Sequence, residues 1–264
     1  MDLIAHGAFV NSQSFCRSHK ALVTGAGAPD GIGFAIARAL GRAGLTVHLT
    51  GVSPRIQDRA SELAAEGLRV EASVFDLTSA ESVRALAAAA GPVGILVNNA
   101  GMGSVGQPAI QKPFVELSEA EWDQGLSVSL KTCFLVTRAV LPAMLKARFG
   151  RVINIASVTG PMVSNIGESA YSAAKAGMVG LTHALALEAG PLGVTVNAIA
   201  PGWIDTGAAT NEERRAALKT PLGRAGTPDE VAACALFLAS DQASYVNGAV
   251  LVVDGGNILQ ERKG

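Results

Sequence analysis

This chain of 264 residues offers almost no net charge: 21 Lys and Arg stand against 22 Asp and Glu, leaving −1 at pH 7. That balance gives no positive field for a phosphate backbone or an anionic lipid surface, which argues against nucleic-acid and membrane partners and for small-molecule chemistry. Cysteine is scarce as well. Cys16, Cys133 and Cys234 are scattered, odd in number and without a Cys-x-x-Cys, so neither a disulfide framework nor a metal site is expected, and a reducing cytoplasm fits. Residues 1–18 hold no apolar stretch of signal-peptide length, because His6, Asn11, Gln13 and Arg17 interrupt it; they read as a loosely ordered extension before one domain over 19–264. Long apolar runs are missing too. The richest later ones are broken by Lys175, His183 and Glu188, against any membrane span of about 20 residues.

What the chain does have is a regular alternation of β-prone apolar runs with segments of helical period. Strands are predicted near 20–24, 46–50, 69–75, 94–98, 151–156, 194–199 and 249–253, and helices near 32–43, 54–66, 79–90, 119–147, 170–190 and 229–239. Ser79 and Ser118 are N-cap candidates, and Gly67 is a plausible C-cap. Such alternation predicts an α/β fold, a single-domain doubly wound parallel sheet of seven strands covered by helices on both faces.

Four segments carry chemistry. Tyr171-Ser-Ala-Ala-Lys175 sets a phenol and an ammonium four apart, on one helix face. A lysine charge near the hydroxyl favours phenolate, predicting a lowered tyrosine pKa and a usable general acid or base. Ala21-Leu-Val-Thr-Gly25-Ala-Gly27-Ala-Pro-Asp30-Gly31-Ile32-Gly33 is an apolar run broken by glycines that passes into a helical period. That order is a nucleotide-binding βα unit, whose backbone N–H groups and helix N-terminus suit a pyrophosphate. Ile95-Leu-Val-Asn98-Asn99-Ala100-Gly101 ends a strand in two amides and small residues that let a flat ring approach the backbone, and Arg151-Val-Ile-Asn154-Ile-Ala-Ser157 delivers a serine to the carboxyl edge of another. The first three have bland counterparts: a solvated surface pair, a tight turn, an Asn-rich strand end. Together and in this order they outweigh it.

From about His19 to Asn257 these motifs resemble the short-chain dehydrogenase/reductase family, with further matches at Asp76, Asn197–Thr206, Pro221–Val231 and Asn247–Gly256. The resemblance implies a Rossmann fold and an NAD(P)(H)-dependent oxidoreductase interconverting a ketone and a secondary alcohol. It implies Tyr171 as the acid or base, Lys175 binding the nicotinamide ribose, and Ser157 holding the substrate oxygen. It also implies a cofactor channel lined by Gly25, Gly27, Asp30, Gly31, Ile32, Gly33, Gly51, Ser53, Arg55, Asp76, Leu77, Asn98, Asn99, Ala100 and Gly101, with Pro201, Gly202, Ile204 and Thr206 capping the nicotinamide side. Dimer or tetramer formation is implied through helices 119–147 and 170–190 and the edge near 246–258.

Two departures from the family matter. Ser129 stands where most relatives carry a catalytic asparagine, and the expectation is that its shorter side chain or a nearby backbone carbonyl keeps the water relay. The glycine loop is longer than usual and carries Asp30 in place of a base, which weakens NADP; yet Gly51 replaces the acid that marks NAD-preferring relatives, and Thr50, Ser53 and Arg55 are available to a 2′-phosphate. The expectation is NADP(H) over NAD(H). The pattern is nearest 3-oxoacyl-acyl-carrier-protein reductases: an apolar entrance of Pro161, Met162, Val163, Ile166 and Trp203, and Arg214, Arg215 and Lys219 for a carrier protein. Oxidation of a sugar, polyol, steroid or other secondary alcohol is the alternative, and a non-catalytic nucleotide-binding scaffold is disfavoured by the complete Ser157, Tyr171 and Lys175 set. His48 and His183 read as packing residues, and the charged run around Arg214 as a solvated helix face.

Overall fold

Seven parallel strands, β1 Lys20–Thr24, β2 Thr46–Gly51, β3 Val70–Val74, β4 Ile95–Asn98, β5 Gly150–Ile155, β6 Val194–Pro201 and β7 Val250–Val253, form one sheet in the order β3-β2-β1-β4-β5-β6-β7. This computed structural model describes residues 20–101 and 109–261, so the proposed extension 1–18 lies outside the described residues. The helices are α1 Ile32–Arg42, α2 Arg55–Ala65, α3 Ala80–Ala90, α4 Glu119–Leu126, α5 Thr132–Ala147, α6 Ser169–Ala189, α7 Asn211–Ala217 and α8 Pro228–Ala239.

Strand alternation divides the interior into two cores. Ala21, Val23, Val47, Leu49, Ile95, Val97, Ile153 and Ile155 face Phe34, Ile36 and Leu40 of α1, Ile56 and Leu63 of α2 and Val231 and Leu238 of α8. Their neighbours Leu22, Leu96 and Val152, with Val194 and Val196, face Val83 and Leu86 of α3, Leu135, Val140 and Met144 of α5 and Ala186 of α6. A sheet buried on both faces needs such near-continuous apolar strands, since successive side chains point to opposite sides. Because β1 pairs with both β2 and β4, the strand order reverses between them, opening a crevice at their carboxyl ends.

The predicted helix 119–147 is interrupted. After α4 the backbone takes a π-helical turn over Ser127–Lys131 before α5 begins. Thr132 stabilises this wide turn from within, its hydroxyl donating to Val128 O at 3.0 Å and Ser129 O at 2.9 Å. By length and composition the run Glu119–Ala147 passes as a membrane span, which the sequence reading had not anticipated; in the fold, Leu135, Val136, Val140 and Met144 are spent on the second core. The charged run after β6 is a short helix, α7, opened by a capping box of Thr210 and Glu213. His48 is buried, with Nδ1 3.0 Å from Glu71 Oε2 and Nε2 2.6 Å from Ser73 Oγ, whereas His183 is exposed. Cys133 and Cys234 are free thiols.

Candidate active site

The glycine loop and the β4 end are fitted to one another across the crevice. Gly25 has φ +69°, and a Cβ there would lie 2.7 Å from Ala100 Cα; a Cβ on Gly33 would lie 2.5 Å from Asn99 Nδ2 and 2.8 Å from Gly25 O. Only glycine permits that approach and that dihedral. Thr24 Oγ1 accepts from the N–H groups of Asn99 and Ala100, both at 3.0 Å, while Asn99 Nδ2 donates to Thr24 O at 3.1 Å and Gly25 O at 3.0 Å. The Asn99 side chain therefore braces the loop. Gly27 faces open space, with nothing within 4 Å of a Cβ, and Gly31 and Ile32 open α1, so N–H groups and a helix N-terminus face the gap. A dinucleotide's diphosphate fits this cradle.

Several predicted contacts are relocated. Asn98 turns inward: its Nδ2 donates to Thr137 Oγ1 at 2.8 Å and Asn154 Oδ1 at 2.9 Å, so it is an internal tie. Thr50 is fully buried, its hydroxyl without a partner in the interior, which removes it from the phosphate-binding set. Ser53 and Arg55 remain at the end of β2, Arg55 Nε donating to Ser53 Oγ at 3.4 Å beside Gly51. Asp76 accepts from Thr78 N at 2.9 Å and Oγ1 at 2.7 Å, which lowers its pKa, and Leu77 is buried against the second core. Asp30 is exposed and abuts the loop after β6, where a Cβ on Gly207 would overlap its carboxylate. Pro201 ends β6 and Gly202 N donates to Val253 O at 2.9 Å; Thr206 N donates to Ile204 O at 2.9 Å. Arg214 Nε donates to Asp205 Oδ1 at 2.9 Å and Nη2 to Thr206 O at 3.2 Å.

The reactive side chains meet at the carboxyl edge. Ser157 follows β5 and is buried, its Oγ accepting from Thr159 N at 3.0 Å and bonding to Tyr171 on α6. Lys175, one turn along, is buried with Nζ donating to Ile155 O at 2.7 Å and 5.6 Å from the Tyr171 ring centre. Ser129 lies on the π turn, buried; a Cβ on Gly101 would lie 3.3 Å from Ser129 Oγ and 3.6 Å from Lys175 Nζ, so both flank one point. π turns recur at functional sites, and this one was invisible in the sequence because an apolar helical period does not report a single extra residue.

Electrostatics corrects one expectation. Burial raises the Tyr171 pKa above its ordinary value; the bond from Ser157 pulls it down, and the charges of Glu168 and Glu213 push it up further. Burial dominates Lys175 as well and lowers its pKa to about 8, only partly countered by Cys133. Taking each group out of water disfavours its charged form, so both shift toward neutrality. A largely neutral phenol beside a hydroxyl is a proton donor to an oxygen placed between them.

A doubly wound sheet with a glycine cradle at its switch point and a Ser–Tyr–Lys cluster beside it defines a nicotinamide-dependent oxidoreductase acting on CH–OH groups. A family model described as enoyl-(acyl carrier protein) reductase matches residues 25–257. Oxidoreductase UcpA of Salmonella typhimurium is 40% identical over 257 residues, covering 91% of this chain and 95% of its own length. The 3-oxoacyl-acyl-carrier-protein reductase FabG of Pseudomonas aeruginosa is 43% identical over 245 residues, covering 89% and 96%. A crystal structure from Beutenbergia cavernae, provisionally assigned as an NAD(P)-dependent gluconate 5-dehydrogenase and holding NADP at low occupancy, superposes with a TM-score of 0.85 at 39% identity, covering 92% of this chain and 97% of that one. The chain belongs to the short-chain dehydrogenase/reductase family.

Proposed function

We propose that this enzyme reduces a ketone with an apolar substituent to a secondary alcohol, using NADPH, with a 3-oxoacyl thioester as the substrate class. The observation that carries this reading is the hydrogen-bonded Ser157–Tyr171 pair set next to an apolar rim of Met162, Val163 and Ile166, the last 96% exposed. Such a rim suits an acyl chain better than an acidic or phosphorylated metabolite. Identity to the Pseudomonas reductase supports the same class. Arg215 and Lys219 remain as candidates for an acidic carrier protein. The glycine cradle at the crevice would hold a reduced nicotinamide dinucleotide, which would supply the hydride for the carbonyl carbon. Ser157 holds the carbonyl oxygen and Tyr171 donates the proton as charge develops there; orientation and proton transfer are each worth several orders of magnitude. Lys175 binds the ribose hydroxyls, and Ser129, on the widened turn, links the lysine to water. Ser53 and Arg55, near the first turn of α2, receive the 2′-phosphate through charge-assisted bonds.

A second reading, oxidation of a sugar acid, is favoured by the likeness to the Beutenbergia structure. A tetramer is proposed as well, since Leu187 on α6 and Tyr245 and Leu259 near the last strand are almost fully exposed apolar side chains; light scattering checks it. The substrate test is a matrix of NADPH and NADH against acetoacetyl thioester, crotonyl thioester and cyclic ketones, and of NADP+ and NAD+ against gluconate, with Tyr171→Phe as control. Highest kcat/KM for acetoacetyl thioester with NADPH, lost in the control, is expected. Preference for gluconate would move the assignment to the second reading, and undiminished turnover in Tyr171→Phe would remove the proton donor.

A further inference from the structure

Beneath the acid–base pair, a seam of polar side chains runs through an otherwise apolar core. Ser129, Cys133 and Thr137 recur every four residues along the π turn and α5, all buried. They face Asn98 and Asn154, which are register partners on β4 and β5, and Thr182 on α6, all three buried as well. Asn98 Nδ2 donates to Thr137 Oγ1 at 2.8 Å and to Asn154 Oδ1 at 2.9 Å; Cys133 Sγ donates to the same oxygen at 3.4 Å. Asn154 Nδ2 in turn donates to Thr182 Oγ1 at 2.9 Å, and Thr182 passes its proton to Met178 O at 2.8 Å. One amide thus joins two strands and two helices.

The geometry bears on α6 in a specific way. Lys175 and Thr182 are seven residues apart, about two helical turns, and so lie on one face. Their partners on β5 are consecutive: Asn154 bonds Thr182, while the carbonyl of Ile155 accepts from Lys175 Nζ at 2.7 Å. Two bonds at separate points along a helix fix both its rotation and its sliding against the strand. A single bond leaves one of these free. Tyr171, one turn before Lys175, inherits whatever placement results.

We infer that Asn154 and Thr182 are positioning residues for the reaction: their buried hydrogen bond sets the register of α6 against β5 and thereby the placement of Tyr171 and Lys175. Cys133 holds the Asn154 amide in the orientation that presents Nδ2 to Thr182. The network is not fully satisfied, since Asn98 Oδ1 is buried without a hydrogen-bond partner among the described residues, and such a seam costs stability. Here the network ends on the helix that carries the acid–base pair, and its other contacts are to elements that carry the rest of the site. The inference rests on the reading of Tyr171 as proton donor and Lys175 as its partner.

The test is Thr182→Val, which removes the hydroxyl while keeping the branched shape, alongside Thr182→Ser, which restores it. Four quantities are read: kcat, KM, the pH–rate profile, and the phenol titration by ultraviolet difference absorbance. Tyr171 and Tyr245 are the only tyrosines, and Tyr245 is fully exposed, so the two phenols report separately. The groups that face the pair are Ser157, Glu168, Glu213 and Cys133, and none is altered. Thr182→Val should lower kcat about tenfold with KM changed less, as expected for displacement of reacting groups by a fraction of an ångström. It should also move the Tyr171 titration by about half a pH unit through altered burial and Ser157 bonding. Thr182→Ser should return both to near wild type. Wild-type kcat, profile and titration in Thr182→Val, whatever its melting temperature, would overturn the inference. If Thr182→Val does not fold, Thr182→Ala reads the same profile and titration with the facing groups again unaltered, with about threefold on kcat expected and no change again overturning it. Tyr171→Phe separates the two levels: if it is active the acid–base reading itself fails, and if it is inactive while Thr182→Val is normal only the positioning role fails.

Discussion

Lys175→Met should produce a protein that is more stable than wild type near neutrality and catalytically dead. The ammonium is buried, and its pKa falls from 10.5 to about 8. A difference of that size, at about 1.4 kcal/mol per pH unit, corresponds to roughly 3 kcal/mol lost by holding the charge in the folded state. Methionine removes the charge with a similar volume but also deletes the donor to Ile155 O, whose carbonyl then lacks a partner at a cost of about 1–2 kcal/mol. The net gain is about 1–2 kcal/mol at pH 7. Between pH 8 and 10.5 the unfolded chain keeps a proton on this lysine that the folded chain has released, so wild-type stability rises with pH across that window. The penalty is complete below pH 8 and vanishes above 10.5, and the gap between mutant and wild type should narrow, then reverse as only the missing hydrogen bond remains. Tyr171 titrates above its ordinary value in both proteins and largely cancels in the difference. Urea denaturation of both chains at pH 7, 8, 9 and 10 measures it. A mutant less stable than wild type at pH 7, or a gap independent of pH, would refute the burial argument.

Three further outcomes are expected. Gly33→Ala puts a Cβ 2.5 Å from Asn99 Nδ2 and 2.8 Å from Gly25 O, so it should destabilise by about 1–3 kcal/mol and weaken dinucleotide binding, read by denaturation and by quenching titration. Arg55→Ala should raise KM for NADPH about tenfold and leave NADH within twofold, since one charge-assisted bond to a phosphate is worth about 1.5–3 kcal/mol; equal losses with both cofactors would take Arg55 out of phosphate recognition. Ser129→Ala should slow turnover about threefold to tenfold and alter the pH–rate profile by removing a hydroxyl from the proposed proton path; identical rates and profiles would leave Ser129 no relay role.

Much of the fold was legible because its signals are local. Most strands are apolar-rich runs, the edge strand β3 with Glu71 and Ser73 being the weakest, and the long helices carry an apolar period; the ends fell within one or two residues of the predicted limits except where the π turn divides 119–147 and where α7 is too short and polar to announce itself. Ser157, Tyr171 and Lys175 were legible for the same reason: strand ends and a four-residue helical spacing place them at the carboxyl edge without further information. For Asn98, Asn99 and Thr50 the hydrogen-bond partners were not legible, because a residue's position along a strand does not say which neighbour will take its hydrogen bonds.

The amino-acid order by itself determined the parallel sheet, the glycine crossing at its switch point and the identity of the reacting side chains, because each depends on residues near one another in the chain. Only the tertiary structure decided that burial raises the tyrosine's pKa while a serine opposes it, that the lysine is driven toward neutrality, and that one asparagine ties two strands to two helices. Desolvation and long-range pairing are sums over segments distant in sequence, and no local pattern carries them.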